Sequence, residues 1–278
     1  MTEKLPTDAV KTQRARGTTK TTGAPKKDRQ YVTALARGLA VLRCFSSERR
    51  ELGSSAISRL TNLPQPTVWR LCKTLMMEGY LLPTQGGEKF QLSPALLSLG
   101  YSALATIPIA EIAKPSMQAM ADRFTAGCSL GVCEGKSMLL VQRCQASNAT
   151  LVLNLHVGSR LPLTGSLMGT AYICALSNGE RRDLLEQIRS SDELGWPGCK
   201  ARIDQALKEF QKYGYLVNLA EFHSRIYTVA TAFRSTDGQV YSMTCGTPSE
   251  MLDIDTMRNE VGPALVQLAN SLSAGRSG

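Results

Sequence analysis

Ser54-Ser55-Ala56-Ile57-Ser58-Arg59-Leu60-Thr61, Asn62-Leu63-Pro64, then Gln65-Pro66-Thr67-Val68-Trp69-Arg70-Leu71-Cys72-Lys73-Thr74-Leu75-Met76 set the architecture of the first third of this chain. The first segment offers a hydroxyl cap at Ser54 and apolar Ala56, Ile57 and Leu60 at helical spacing. Asn62-Leu63-Pro64 breaks that helix. Pro66 opens the next, in the first turn, where its missing N–H leaves nothing unsatisfied. Val68, Leu71, Cys72, Leu75 and Met76 form one apolar stripe, which leaves Gln65, Thr67, Trp69, Arg70 and Lys73 on the remaining faces. Tyr80-Leu81-Leu82 and Lys89-Phe90-Gln91-Leu92 then flank Pro83-Thr84-Gln85-Gly86-Gly87, a hairpin pattern. Helix, turn, second helix and hairpin in that order predict a winged helix-turn-helix.

Charge supports a polyanionic partner. Residues 1–30 carry eight Lys/Arg against three acids, residues 31–95 eight against four, and residues 96–278 sixteen against sixteen. The whole excess of +9 therefore lies on or beside the helix-turn-helix. Such asymmetry attracts a phosphate backbone by counterion release and steering. A generically solvated basic face would not explain why the last two thirds balance.

Upstream, residues 1–30 lack apolar periodicity and read as a disordered basic arm. Ala34, Leu35, Leu39, Val41, Leu42 and Phe45 predict a helix ending near Ser46 that packs behind the other two. The winged domain is expected over 31–93 and a linker helix over 94–107, whose Leu and small residues suit pairing with a second subunit. Downstream, 108–278 alternates in an α/β manner. Helices are expected at 109–125, 165–177, 178–189, 200–213 and 253–273, and strands at 128–134, 137–144, 150–155, 215–219, 226–233 and 239–246. Residues 156–163 and 190–199 read as loops, and Ser177 with Glu180 fits a capping box.

Other classes find little support. The apolar stretch Ala95 to Ala110 is too short and broken for a bilayer span, and no secretory signal is visible, so a cytoplasmic chain without a membrane partner is expected. The eight cysteines contain no Cys-x-x-Cys pair and are expected reduced, as small hydrophobes. With only His156 and His223, neither a metal site nor a catalytic constellation is assembled, and no cofactor is called for. Gly165-Ser166-Leu167-Met168-Gly169 places serine second rather than third, which excludes a nucleophile elbow.

Three motifs carry a resemblance along nearly the whole chain after residue 30. They are Ala34-Leu35-Ala36-Arg37-Gly38-Leu39-Ala40-Val41-Leu42, the run from Leu63 through Arg70 and Leu75 to Gly79-Tyr80, and Val157-Gly158-Ser159-Arg160-Leu161-Pro162-Leu163 with the later Gly214-Tyr215 and Gly246-Thr247-Pro248. Together they resemble the IclR family of bacterial transcription regulators. The resemblance implies an α+β chain: a winged helix joined by a linker helix to a GAF-like effector domain with an antiparallel sheet. It also implies homodimers or homotetramers on a double-stranded operator, a small-molecule effector, and repression ahead of activation. His223-Ser224-Arg225-Ile226 departs from the Gly-Val or Gly-Leu usual there, which bears on the local pocket shape.

Recognition-helix geometry sends Gln65, Thr67, Trp69, Arg70 and Lys73 to the major groove or its phosphates. Gln65 suits adenine, Thr67 a phosphate or thymine methyl, Arg70 guanine or phosphate, and Lys73 phosphate. Trp69 has an equal claim to packing on the wing. Ser54, Ser55 and Lys89 are further phosphate candidates. For the effector, the resemblance implies a site between the sheet and the helix after residue 163. The matching positions are Ser129, Leu167, Met168, Asn218, Tyr227, Thr244 and Gly246, with Ser166 as a further hydrogen-bonding group. Leu167 and Met168 would make apolar walls suited to an aromatic or branched carboxylate, or would simply pack the helix on the sheet. A C-terminal domain that only oligomerises is the alternative.

Overall fold

The structure, a computed structural model, describes residues 30–148, 155–219 and 226–274. Almost all of the basic arm and of the strand expected at 150–155, and the departure at His223–Arg225, lie outside the described residues. The chain divides into two compact units, Met1–Leu96 and Leu97–Gly278.

In the first unit, α1 (Thr33–Leu42), β1 (Glu51–Gly53), α2 (Ser54–Thr61), α3 (Gln65–Met77), β2 (Leu81–Pro83) and β3 (Lys89–Leu92) follow in order. Asn62, at φ 53°, ends α2 in the left-handed conformation that asparagine tolerates better than most side chains. The turn is then closed by Leu63 N–H on the Ser58 carbonyl (3.3 Å) and Ser58 Oγ on the Leu63 carbonyl (2.5 Å). At the wing tip Gly86 and Gly87 both have positive φ, which lets Thr84 N–H reach the Lys89 carbonyl at 3.0 Å. Val41, Ile57, Val68, Cys72, Leu81 and Phe90 form a closed core. Each large apolar side chain there contributes about 1.5–3 kcal/mol.

Three expectations are corrected in this unit. α1 stops at Leu42, and Cys44 and Phe45 reach the core from the turn that follows. Leu35 and Leu39, expected to face inward, are 63% and 43% exposed, because the other elements of the unit leave that side of α1 uncovered. Residues 51–53 form a strand that their single buried residue, Leu52, did not announce; pairing with β3 makes it.

The second unit comprises α4 (Leu96–Ala105, all but its first residue), α5 (Pro108–Phe124), β4 (Gly127–Glu134), β5 (Ser137–Gln145), β6 (Arg160–Pro162) and α6 (Leu167–Ala175). It continues with α7 (Asn178–Ser191), α8 (Trp196–Tyr213), β7 (Leu216–Leu219), β8 (Ile226–Arg234) and β9 (Val240–Pro248). A short α9 (Ile254–Thr256), a π turn over Met257–Val261 and α10 (Gly262–Ser273) replace the single helix expected at 253–273. β6 lies in what reads as loop, and α8 starts four residues early: Pro197 sits at its first turn, where proline starts helices rather than ending them.

The strands form one antiparallel sheet in the order β6-β5-β4-β9-β8-β7. One face packs on α5 and α10 through Met117, Leu130, Val229, Met243 and Leu265. The other packs on α6, backed by α7 and α8, through Leu140, Met168, Ile173 and Ile203 and through Ala171, Leu216 and Ala230. Helix α7 carries the expected capping box between Ser177 and Glu180. The approach of α6 depends on Gly169, where a Cβ would sit 2.0 Å from the Leu163 carbonyl oxygen.

Candidate functional site

Helix α3 buries Val68 and Cys72 and turns the opposite side outward. Gln65, Trp69 and Lys73 stand in one i, i+4 row, with Arg70 and Thr74 in the next, and all five are exposed. Thr67 is half-buried and Ser55 exposed. Arg70, Lys73 and Arg59 make no ion pair among the described residues, so three cations on α2 and α3 stay uncompensated by protein.

Some candidates have partners already. Gly53, not Ser54, is the N-cap of α2. The Ser54 hydroxyl instead accepts from Gln65 Nε2 at 3.0 Å, tying the two helix starts together. Trp69 stacks obliquely on Phe90 of the wing, ring centroids 5.7 Å apart, yet is 49% exposed: it packs and presents an edge at once. Lys89 Nζ lies 3.7 Å from Glu51 Oε2, an exposed pair worth about 0–1 kcal/mol that a phosphate can replace.

In the second unit the strand register sorts the effector candidates, because directly paired residues share a sheet face. Ser129 pairs with Thr244, Thr244 with Ala230, and Ala230 with Leu216. In the row beyond, Gly127 pairs with Gly246, Gly246 with Thr228, and Thr228 with Asn218. Ser129, Thr244, Gly246 and Asn218 therefore line the face that α6 covers. Met168 is buried against that face, its Sδ over Gly131 and its carbonyl accepting from Ser242 Oγ at 2.8 Å; Leu167 packs beside Ala230 and Leu216.

Two expectations do not fit this geometry. Tyr227 pairs with Leu219 and Thr247 and shares the parity of Val229, so its ring packs against the core under α5 and α10, on the opposite face. Ser166 is the N-cap of α6, with Oγ accepting from Gly169 N–H at 3.1 Å and donating to the Pro162 carbonyl at 2.6 Å. That hydroxyl is committed to the helix start.

The same face holds residues that sequence reasoning passed over: Gly127, Thr228 and Arg143, the last paired with Ser129 across β4 and β5. Arg143 was legible as a cation inside the apolar run Met138–Cys144. A separate cavity of about 310 Å³ opens elsewhere in the unit, among Lys136, Leu163, Ile188 and Trp196, and touches none of the predicted effector residues. Among the described residues no cluster of three or more His, Cys, Asp or Glu could hold a metal, and no single helix is long and apolar enough to cross a membrane.

Comparison with known proteins agrees with both units. Residues 34–83 match the IclR helix-turn-helix domain, and residues 101–274 match the bacterial transcriptional regulator IclR C-terminal domain. The HTH-type transcriptional regulator TsaQ1/TsaQ2 of Comamonas testosteroni is 31% identical over 245 residues, 87% of this chain and 88% of that protein. An IclR family transcriptional regulator from Brucella abortus is 36% identical, with a TM-score of 0.79 over 91% of this chain and 95% of its own. An IclR homolog from Microbacterium hydrocarbonoxydans, solved in complex with 4-hydroxybenzoate, shares the fold at 21% identity and a TM-score of 0.67, covering 88% of this chain and 98% of that one. A winged helix with an uncompensated basic face and an antiparallel sheet with a polar patch beside α6 are thus the two halves of one regulator: the chain belongs to the IclR family, as a DNA-binding transcription regulator with an effector-binding C-terminal domain rather than an enzyme.

Proposed function

We propose that this regulator senses a small aromatic or branched carboxylate on the sheet face beside α6, and that binding alters its affinity for a double-stranded operator. The observation that carries the reading is the patch itself. Ser129, Thr244 and Thr228 bring hydroxyls, and the lack of a Cβ at Gly127 and Gly246 lets the Arg143 guanidinium and the Thr228 hydroxyl lie close to the sheet, next to apolar Leu167 and Met168. Polar groups converging beside apolar walls suit a ligand with a charged end and a hydrocarbon body. The Microbacterium homologue, crystallised with 4-hydroxybenzoate, is a precedent in the same fold for that ligand class.

On the DNA side Gln65, Thr67, Arg70 and Lys73 are the groove and phosphate contacts, supported by their exposure and by the absence of ion-pair partners for the two cations among the described residues. Ser54, Ser55 and Lys89 flank them, and Trp69 buttresses the wing. Helices α1 and α4 each present apolar side chains that the described residues of their own unit leave exposed: Leu35 and Leu39 on one, Leu97 (74% exposed) and Tyr101 (76% exposed) on the other. Exposed faces of this kind support a homo-oligomer. Repression, as opposed to activation, rests on the family resemblance alone.

The test is a thermal-shift screen of the full chain against benzoate, 4-hydroxybenzoate, phenylacetate and short branched acids. A ligand at 100 times its Kd adds about 2.7 kcal/mol, or several degrees at about 2–4 °C per kcal/mol. No shift from any member would refute the carboxylate reading.

A further inference from the structure

Arg143 differs from the other arginines among the described residues of the second unit. Arg123, Arg160, Arg182, Arg189 and Arg234 each lie within ion-pair distance of a carboxylate, and Arg181 donates to two carbonyls and the Asn178 side chain. Arg202 and Arg258 are exposed to water. Arg143 is half-buried on a strand inside the sheet, and among the described residues its guanidinium has one acceptor, Ser129 Oγ at 2.9 Å, and no carboxylate. Five N–H donors against one acceptor leave most of the fork unused. Burial pulls its pKa below the ordinary arginine value, as desolvation of an uncompensated cation does.

The surroundings show where the fork points. Nη2 lies over Gly127, so close that a Cβ there would sit 3.0 Å from it. Adjacent strands are about 4.8 Å apart, so a guanidinium above β4 is one strand from Thr244 and Gly246 of β9. Because Ser129 Oγ accepts from Arg143, its own hydrogen is free to donate. The Thr244 and Thr228 hydroxyls have no hydrogen bond among the described residues. Gly127 and Gly246, paired across β4 and β9, let the guanidinium lie close over one and the Thr228 hydroxyl close over the other, on the face that Ser129 and Thr244 share.

We propose that Arg143 is the anchor for the effector's carboxylate, binding it bidentately on the β9 side of the guanidinium while Ser129 and Thr244 donate to its oxygens. The inference rests on the effector reading above and assigns the charge selectivity of that site to one residue. Planar bidentate pairing is what a guanidinium supplies and an ammonium does not. It follows that the site rejects the neutral amide of any acid it binds. It also follows that the guanidinium, which has no carboxylate partner among the described residues, gains one when the ligand binds.

The test uses the full chain, calorimetric titration with the acids of the screen, and their primary amides. For any acid that binds, Arg143→Gln should weaken affinity by about 30-fold or more, Arg143→Lys by less, and the amide should bind wild type no better than it binds Arg143→Gln. A second readout separates anchor from scaffold. In the free protein, Arg143→Met should leave the melting temperature unchanged or raise it, because a half-buried cation with no carboxylate among the described residues is removed. Acid binding that survives Arg143→Gln undiminished would overturn the anchor and keep the effector reading. Failure of every acid to bind wild type would overturn both. A free-protein melting temperature that falls sharply in Arg143→Met and Arg143→Lys alike would make the residue structural and refute the proposal.

Discussion

Gly169→Ala should destabilise the second unit even though alanine is the better helix former. Two terms oppose each other. In the first turns of α6, replacing glycine by alanine gains up to about 1 kcal/mol from propensity. Against this, the new Cβ would lie 2.0 Å from the Leu163 carbonyl oxygen, 2.6 Å from its carbon and 2.7 Å from its Cα. The obstacle is backbone, and Leu163 is held by its own N–H on the Lys136 carbonyl at 3.0 Å, so it cannot rotate aside. Relief requires α6 to move off the sheet by about 1 Å, at the upper end of overpacking penalties, about 3 kcal/mol. The net loss is about 2 kcal/mol, which lowers the melting temperature by about 4–8 °C for a unit of this size. Differential scanning calorimetry of the full chain reads it directly. Gly38→Ala, mid-helix in α1 with nothing within 4 Å of its Cβ, is the control and should hold or raise stability. Because Leu167 and Met168 ride on the same helix, Gly169→Ala should also weaken any ligand found in the screen. A Gly169→Ala protein at least as stable as wild type would refute the close approach of α6 and Leu163.

Further outcomes follow from the same geometry. Arg70→Ala should cost about 1–3 kcal/mol in DNA affinity and relax specificity at one base pair, whereas Lys73→Ala should lower the salt slope of binding by about 1; anisotropy at several salt concentrations distinguishes them. Iodoacetamide should label no more than Cys133 and Cys199 quickly in the native protein, because the other six thiols are buried and burial pushes Cys72 and Cys144 up to about 11 and Cys174 to about 12. Mass spectrometry after brief exposure counts them. The Ser177 hydroxyl and N–H, with help from Arg234, hold the Glu180 carboxyl below its ordinary value. Its contribution to stability is therefore complete above the unfolded carboxylate range and lost as pH falls through the depressed folded value, so wild type and Glu180→Gln should melt apart near neutrality and converge in acid.

The winged unit was legible because its signals are local. Asn62 and Pro64 mark the turn, Pro66 the restart of the helix, and Gly86-Gly87 the wing tip, each acting within a few residues. What escaped was made by distant partners. β1 exists through pairing with β3, and β6 is a three-residue edge on β5 ending in Pro162. At α8 the residues Gly195, Pro197 and Gly198 carry both loop and helix-start meanings, and the sequence does not choose between them. Tyr227 shows how sharply register matters. Parity along β8 groups it with Val229 and Phe233 rather than with Thr228, a distinction readable once the strand is placed but decisive only when its pairing is known. Arg143 depends on more: the irregularity between Leu130 and Gly131 shifts the pairing of β4 with β5, so its position opposite Ser129 follows from no count along the chain.

In the proposed regulator, one ligand site controls one DNA site. The most direct measurement of that control is fluorescence anisotropy of the full chain on a duplex it has selected from a random pool, with and without an acid that raises its melting temperature. Coupling between the two sites should change DNA affinity by about 5-fold or more, within the usual range of coupling free energies. An acid that stabilises the protein yet leaves its affinity for that duplex unchanged would contradict it.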